Sequence, residues 1–439
     1  MPLYRDPTDT HLYEVIKVQT CSGRPLEVTN ISGQAVSFTT AGTPAGDAFG
    51  RARISQPLTL FDSSHRFADN GLWATATGVS SDATFSANEG LIDLNVTTTS
   101  GGYVTRETTQ VFSYQPGKSL LTLNTFVMAP AKTNLRQRVG YFNAANGIYI
   151  ELDGATLSFV ERSSVTGSVT ESKVAQANWN VDKLDGNGPS GRILDIAKAQ
   201  IFWADIEWLG LGTVRLGFVI DGLFIHCHSF HHANLITSTY ITTASLPLRY
   251  EIINLNTTAS NSTLKQVCST VISEGGYELR GAQNAVGTPV SAPRDLTATG
   301  VLYPVVSIRL KASPNRLDGI VIPTAISILG DGNNAFFEWR LQRGGTTSGG
   351  TWASAGNNSS VEYNLSGSST SGGDTLAKGY ISSTTQGANS LDILKEALFQ
   401  FQLRRNGLTN TPEEFSLLVQ SKVAGDDVYG AIDFEEISR

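Results

Sequence analysis

The sequence predicts an all-β chain of two β-sandwich units, with an irregular N-terminal segment and at most one short helix near the C-terminus. Three observations lead there. Apolar and polar residues alternate with a period of two over many short stretches, as half-buried strands require. Those stretches are separated by Gly, Pro, Asn-Gly and Asp-Gly, the residues that supply hairpin turns. Only 16% of residues are charged, and 43 glycines with abundant Ser and Thr take up the balance.

At 439 residues the chain exceeds one ordinary core, so more than one unit is expected. Residues 1–45 read as an N-terminal arm or irregular strands, 46–280 as the first sandwich, 281–297 as a linker rich in Gly, Pro and Ala, and 298–439 as the second sandwich. Phe49–Trp73 has no useful alternation and reads as a structured connection. Strands follow from Ala83 to Met128. Pro116-Gly117-Lys118-Ser119 lacks the glycine that a phosphate loop needs at position 112, where Phe112 stands, so it reads as a turn. Arg136–Arg162 is a meander turning at Asn146-Gly147 and Asp153-Gly154. In the loop 179–200, the spacing of Asp182, Asp185 and Asp195 fits no defined calcium loop, so the three read as turn caps. Ser390–Phe399, with a serine cap and Leu391, Ile393, Leu394 and Leu398 at helical spacing, is the helix candidate.

Gln200–Phe230 carries the most information. Phe202, Ala204, Ile206 and Trp208 alternate with Trp203, Asp205 and Glu207; Val214, Leu216, Phe218 and Ile220 alternate with Thr213, Arg215 and Gly217. Asp221-Gly222 then closes a two-residue hairpin onto Leu223–Phe230. That turn sets Gly217 opposite His226 and Arg215 opposite His228, while a five-residue loop, Leu209–Thr213, sets Asp205 beside Gly217 and Glu207 beside Arg215. One face is therefore expected to carry the rows Asp205/Gly217/His226 and Glu207/Arg215/His228, with Trp203 beside them. These seven residues are the candidate ligand-binding face.

Composition excludes several function classes. The net charge of −7, with no dense basic run, disfavours nucleic acid and anionic membrane as partners. Cys21, Cys227 and Cys268 form neither a disulfide framework nor a metal spacing. No signal-peptide pattern or apolar run of membrane-span length is present, so synthesis in a cytoplasm is expected. His226 and His228 on one strand would suit a metal, but Arg215 beside them opposes a divalent cation, and a satisfied polar ladder is the default. No metal, cofactor or catalytic residue is assigned.

WADIEW, residues 203–208, resembles the catalytic strand of laminarinase-type glycoside hydrolases, which carries Glu-X-Asp-X-X-Glu or Glu-X-Asp-X-Glu. Asp205 and Glu207 match the later acidic positions, but Trp203 stands at that of the nucleophile. The resemblance therefore implies a sugar-facing scaffold without cleavage. More broadly, FGRARISQPLTLFDSSHRFADNGLW, RVGYFNAANGIYIELDG, WNVDKLDG, AQIFWADIEWLGLGTVRLGFVIDG and CHSFHHAN resemble virion structural proteins of tailed bacteriophages, especially aquatic ones. This likeness covers roughly 46–255 and returns weakly at FQLRRNG and VYGAIDFEEI. The same middle region resembles the concanavalin-type jelly roll. Together these imply a non-enzymatic virion protein, homo-oligomeric and partnered by other particle proteins, in the tail, baseplate or fibre, with capsid decoration next. The alternatives are a lectin-like module for host surface glycan and, behind it, a hydrolase-like protein.

Overall fold

The computed structural model describes residues 56–276, 278, 280–332, 335–383 and 401–438, with the backbone of four short N-terminal strands. Those four pair as hairpins, Tyr4–Arg5 with Leu12–Tyr13 and Lys17–Gln19 with Pro25–Glu27. They fall in a small unit made of Met1–Leu58 and Glu274–Gly276; Thr59–Ser273 and Tyr277–Arg439 make up the larger unit. Among the described residues every element is a strand, apart from one 3₁₀ turn at Gln176–Asn178. The helix expected at Ser390–Phe399 lies outside the described residues.

The first sandwich consists of β1 Pro57–Ser64, β2 Trp73–Thr77, β3 Ser81–Ser86, β4 Leu91–Val96, β5 Tyr103–Thr108, β6 Ser119–Val127, β7 Leu135–Phe142, β8 Gly147–Asp153, β9 Thr156–Ser163, β10 Thr170–Ala175, β11 Gln200–Ile206, β12 Val214–Ile220, β13 Leu223–Phe230, β14 Leu248–Asn254 and β15 Ser262–Glu274. An eight-stranded sheet runs β13-β12-β11-β6-β15-β4-β3, with β1 also on β15, and a seven-stranded sheet runs β10-β9-β8-β7-β14-β5-β2. The chain crosses repeatedly between them, which is jelly-roll connectivity. Because Pro57–Ser64 is a strand, the expected structured connection through this stretch is corrected. Its alternation is short, and only Leu60, Phe61 and Ser63 are buried.

Between the sheets lies the core that the period of two predicts. Phe202 and Phe218 from one sheet meet Phe159 from the other, and Trp179 stacks on Phe159 with ring centroids 4.1 Å apart. Burying each such ring contributes about 1.5–3 kcal/mol. Asp221 and Gly222 adopt φ of 52° and 75°, as their hairpin turn requires.

The second sandwich overturns the linker expected at 281–297. Ala282–Gly287 and Arg294–Leu296 are strands paired with the C-terminal strand Asp426–Ser438, which also pairs with Ile320–Asp331. Val286 and Leu296 enter the second core. Glycine and proline density hides the pattern, because Pro289 and Pro293 fall between the two strands, where no ladder bond is needed. The opposing sheet is ordered 353–354, 361–364, 303–310, 415–421, 336–343, 374–382.

Both sandwiches belong to the larger unit, and the segment FQLRRNG joins them. Gln402 Nε2 donates to the Val111 carbonyl at 2.9 Å, and Arg405 donates to the Thr108 carbonyl at 2.6 Å. The Arg405 guanidinium also meets Glu107 at 2.8 Å, with side chains 1% and 2% exposed. Glu107 is shared with Arg249 at 2.9 Å. Removing one partner of such a buried pair strands the other. Arg405→Met should therefore cost about 3–5 kcal/mol in urea unfolding. Glu107→Gln/Arg405→Met should cost less than the sum of the two single changes, and that comparison measures the coupling.

Candidate functional site

The structure keeps the predicted face but changes its register. Strands β11 and β12 pair Trp203 with Gly217, Asp205 with Arg215 and Ile206 with Val214. The loop between them is Glu207–Thr213, closed by a hydrogen bond from the Glu207 amide to the Thr213 carbonyl at 3.2 Å. Leu209 and Gly210, at φ of 40° and 80°, form its reversal. The expected five-residue loop is thus two residues too short. An even error preserves the face and slides its rows, so Asp205 sits beside Arg215 rather than Gly217, and Glu207 lies exposed beyond the strand end.

A β-bulge makes the second correction. Gly217 does face His226, but the next partners are Leu216 with His228 and Arg215 with Ser229. The extra residue turns His228 inward beside Cys227, so the row Glu207/Arg215/His228 does not form. Instead, the imidazole of His228 packs 4.7 Å from the Phe230 ring, stacks towards Phe159, and accepts the Asn180 amide at Nδ1 (3.2 Å). An accepting Nδ1 means a neutral ring. Burial pushes its pKa down to about 4, helped by the neighbouring His226 and His231.

His226 stays on the outer face as part of a polar ladder. Its Nε2 donates to the His228 carbonyl at 3.1 Å and lies 2.9 Å from the Ser229 hydroxyl. With the proton on Nε2, that nitrogen cannot act as a base toward Ser229. Burial lowers the His226 pKa as well. With His226 and His228 on opposite sides, the pair cannot share a metal, and among the described residues no cluster of His, Cys, Asp or Glu is arranged to hold one. Asp182, Asp185 and Asp195 accept backbone amides from Leu184, Ser190, Asn187 and Ala197 in turns of their own loop.

Trp203 is only 6% exposed. Its indole lies over Gly217, donates to the Phe218 carbonyl at 3.2 Å, and packs against Phe224 and His226. The indole fills the space that the missing Gly217 side chain leaves on this face.

Asp205 receives the Ser119 hydroxyl and the Arg215 guanidinium. Around this pair opens a cleft of about 460 Å³ lined by Gly117, Lys118, Ser119, Asp205, Glu207, Thr213 and Arg215. Four of the seven predicted face residues therefore change role: Trp203 and Gly217 seal the sheet, His226 is laddered and His228 is core. Asp205, Glu207 and Arg215 remain, and the turn at Gly117–Ser119 joins them. The turn was legible, but its proximity to Asp205 depends on the pairing of β6 with β11, which no local pattern encodes.

A second charged cluster escaped the sequence reading. On the outer face of the seven-stranded sheet, Arg138 contacts Glu151, Glu171 and Glu251, while Lys173 reaches Glu151 at 2.6 Å. Burial alone would raise the Glu171 carboxyl; hydrogen bonds from Arg162, Tyr149 and Lys173 instead hold it at about 2.

No protein-family model matches the chain, and no curated protein matches it. Solved structures do resemble part of it. The endo-β-1,4-glucuronan lyase of the fungus Trichoderma reesei shares 10% identity over 49% of this chain and 95% of its own, with a TM-score of 0.32. The β-glucanase of Bacillus licheniformis shares 14% over 51% and 99%, at 0.31. The Emp47p carbohydrate recognition domain shares 11% over 53% and 100%, at 0.31.

Two outcomes follow from these contacts. Gly217→Ala would place a methyl group against the Ile225 carbonyl and 2.8 Å from the Trp203 ring, and should lower stability by about 1–3 kcal/mol in urea unfolding. His228 has a folded pKa below its ordinary 6.5, so the unfolded chain binds the extra proton. Its stability contribution is complete above pH 6.5 and is lost as pH falls towards about 4, with a ceiling of about 3 kcal/mol. His228→Asn keeps an acceptor for Asn180 and should flatten that acid limb of a stability–pH profile.

Proposed function

We propose that this protein is a non-enzymatic structural component of a tailed-phage virion, made in the host cytoplasm and assembled as a homo-oligomer in the tail, baseplate or fibre. The observation that carries the non-enzymatic reading is the use of charge on the candidate face. Glycoside hydrolysis needs two carboxyl groups free to exchange a proton or attack a sugar. On this face Asp205 is held between Arg215 and Ser119, and Trp203 stands at the nucleophile's position, sealed against Gly217. The particle reading is supported by the stretches that resemble virion proteins. One of them, FQLRRNG, supplies Gln402 and Arg405 to the joint between the sandwiches. A building block of two sandwiches tied by buried polar contacts suits assembly with other copies and other particle proteins.

The cleft supports a second reading, contact with a host surface glycan. Lys118, Glu207 and Thr213 stand at its walls around the Arg215–Asp205 pair, a mixture of donors and acceptors suited to hydroxyl groups.

Antibody labelling of intact particles should place the protein on the tail or its base; its absence from particles overturns the virion reading. In a glycan array with bacterial-envelope polysaccharides, a signal lost in Lys118→Ala/Glu207→Ala supports the cleft, and no signal removes the second reading. Release of reducing sugar from those polysaccharides would overturn the non-enzymatic assignment.

A further inference from the structure

We propose that His232 is a protonation-dependent latch that holds the loop Glu207–Thr213 closed against the opposite sheet and releases it as pH rises. Both ring nitrogens are engaged. Nδ1 lies 2.6 Å from the Gly212 carbonyl and Nε2 lies 2.7 Å from a Glu161 carboxylate oxygen. Neither partner has a proton to give once Glu161 is ionised, so both contacts are hydrogen bonds only when both nitrogens carry hydrogen. The latched ring is an imidazolium. It is 4% exposed and lies parallel to the Tyr240 ring, with centroids 3.9 Å apart and planes 6° from parallel.

The three latch residues come from separate parts of the sandwich. Gly212 is in the loop between β11 and β12, His232 follows β13, and all three of those strands belong to the eight-stranded sheet. Glu161 is on β9 of the seven-stranded sheet. The ion pair therefore ties the two sheets at this end, and Tyr240, in the connection from β13 to β14, holds the loop through its amide to the Gly210 carbonyl at 3.1 Å. The charged and titratable groups facing the latch are Glu161 on β9, Tyr240 stacked on the ring, and Tyr114, Tyr141 and Glu207, which act on Tyr240. The neighbouring His231 is exposed, with Nδ1 3.3 Å from the Thr213 hydroxyl.

Loss of one proton turns a contact repulsive. A neutral imidazole must direct a lone pair either at the Gly212 carbonyl or at the Glu161 carboxylate, at hydrogen-bonding distance in both cases. Release would also bare two polar atoms: among the described residues, Trp208 Nε1 and the Tyr240 hydroxyl make no hydrogen bond within the protein. Opening lets water reach both. The sign follows from linkage. Burial by itself lowers the His232 pKa, but Glu161 and the Gly212 carbonyl raise it above 6.5. The closed state then binds more protons than the open state between 6.5 and the raised value, so the proton's contribution to closure is full below that window and is lost as pH rises through it. Glu207 and Thr213 wall the cleft, so the latch governs its shape whichever partner the chain has.

Two measurements on the full chain test this. Long-range ¹H–¹⁵N spectra of histidine-labelled protein should show His232 protonated on both nitrogens and titrating above 6.5. Hydrogen exchange, corrected for intrinsic rate, should show protection of the Leu211 and Gly212 amides falling by up to about tenfold per pH unit in that window, while Val139 and Ile150 in the seven-stranded sheet stay protected. Glu161→Gln should move the midpoint down. A His232 that titrates at or below 6.5 overturns the latch, as does loop protection whose pH dependence is unchanged in Glu161→Gln. If that variant does not fold, the wild-type titration decides alone.

Discussion

Charges on the outer face of the seven-stranded sheet have to find partners, because much of that face is withdrawn from water. Arg138 and Glu151 are 6% and 2% exposed and sit opposite each other on β7 and β8. Arg138 also faces Glu251 across β14. An unpaired charge at such depth would cost several kcal/mol, so this row tolerates only one register. A slip of one residue would turn Arg138 into the core and Val139 out of it. Hydrophobic pattern and ion pairing thus demand the same alignment, and agreement between them gives a single fold. The same demand extends beyond the sheet: Glu107 is shared by Arg249 and Arg405, and the second brings in the C-terminal sandwich.

Elements with a strict period of two were legible, and so were turns whose residues dictate their own geometry. The strands of Gln200–Phe230 and the Asp221-Gly222 hairpin belong to this group. Register was legible only near such a turn. From Ile220 to Gly217 the expected partners are the observed ones; past Gly217 the bulge intervenes, because Cys227 and His228 are both drawn towards aromatic and apolar neighbours that lie far off in sequence. A bulge that follows from tertiary packing leaves no local mark. The loop at Glu207–Thr213 failed differently: Trp208 stacks edge-on with Tyr114, which lengthens the reversal by two residues.

Alternating charge does not by itself tell which face meets water. RQRVGYF, GIYIELD and LRYEII each place Arg or Glu opposite core residues. The face is buried, and its arginines lie over Phe142 and Tyr149 as well as against carboxylates. A single strand cannot reveal this, because the partners of Arg138 come from β8, β10 and β14. Likewise Glu161 and His232 lie 71 residues apart, and no spacing rule connects them.

These features divide the first sandwich into a stiff body and a yielding corner. In the body, aromatic stacking and paired charges reinforce one another: His228 is internally neutral and Glu171 is held by several donors. At the corner around Glu207–Thr213, one imidazolium bridges the two sheets, and its hold depends on a single proton. Opening a loop costs least where its closed state is least compensated. The candidate cleft lies on this boundary: Ser119, Asp205 and Arg215 are fixed by the strand ends, while Glu207 and Thr213 move with the loop. Any ligand taken there would therefore meet one rigid wall and one wall whose position depends on His232.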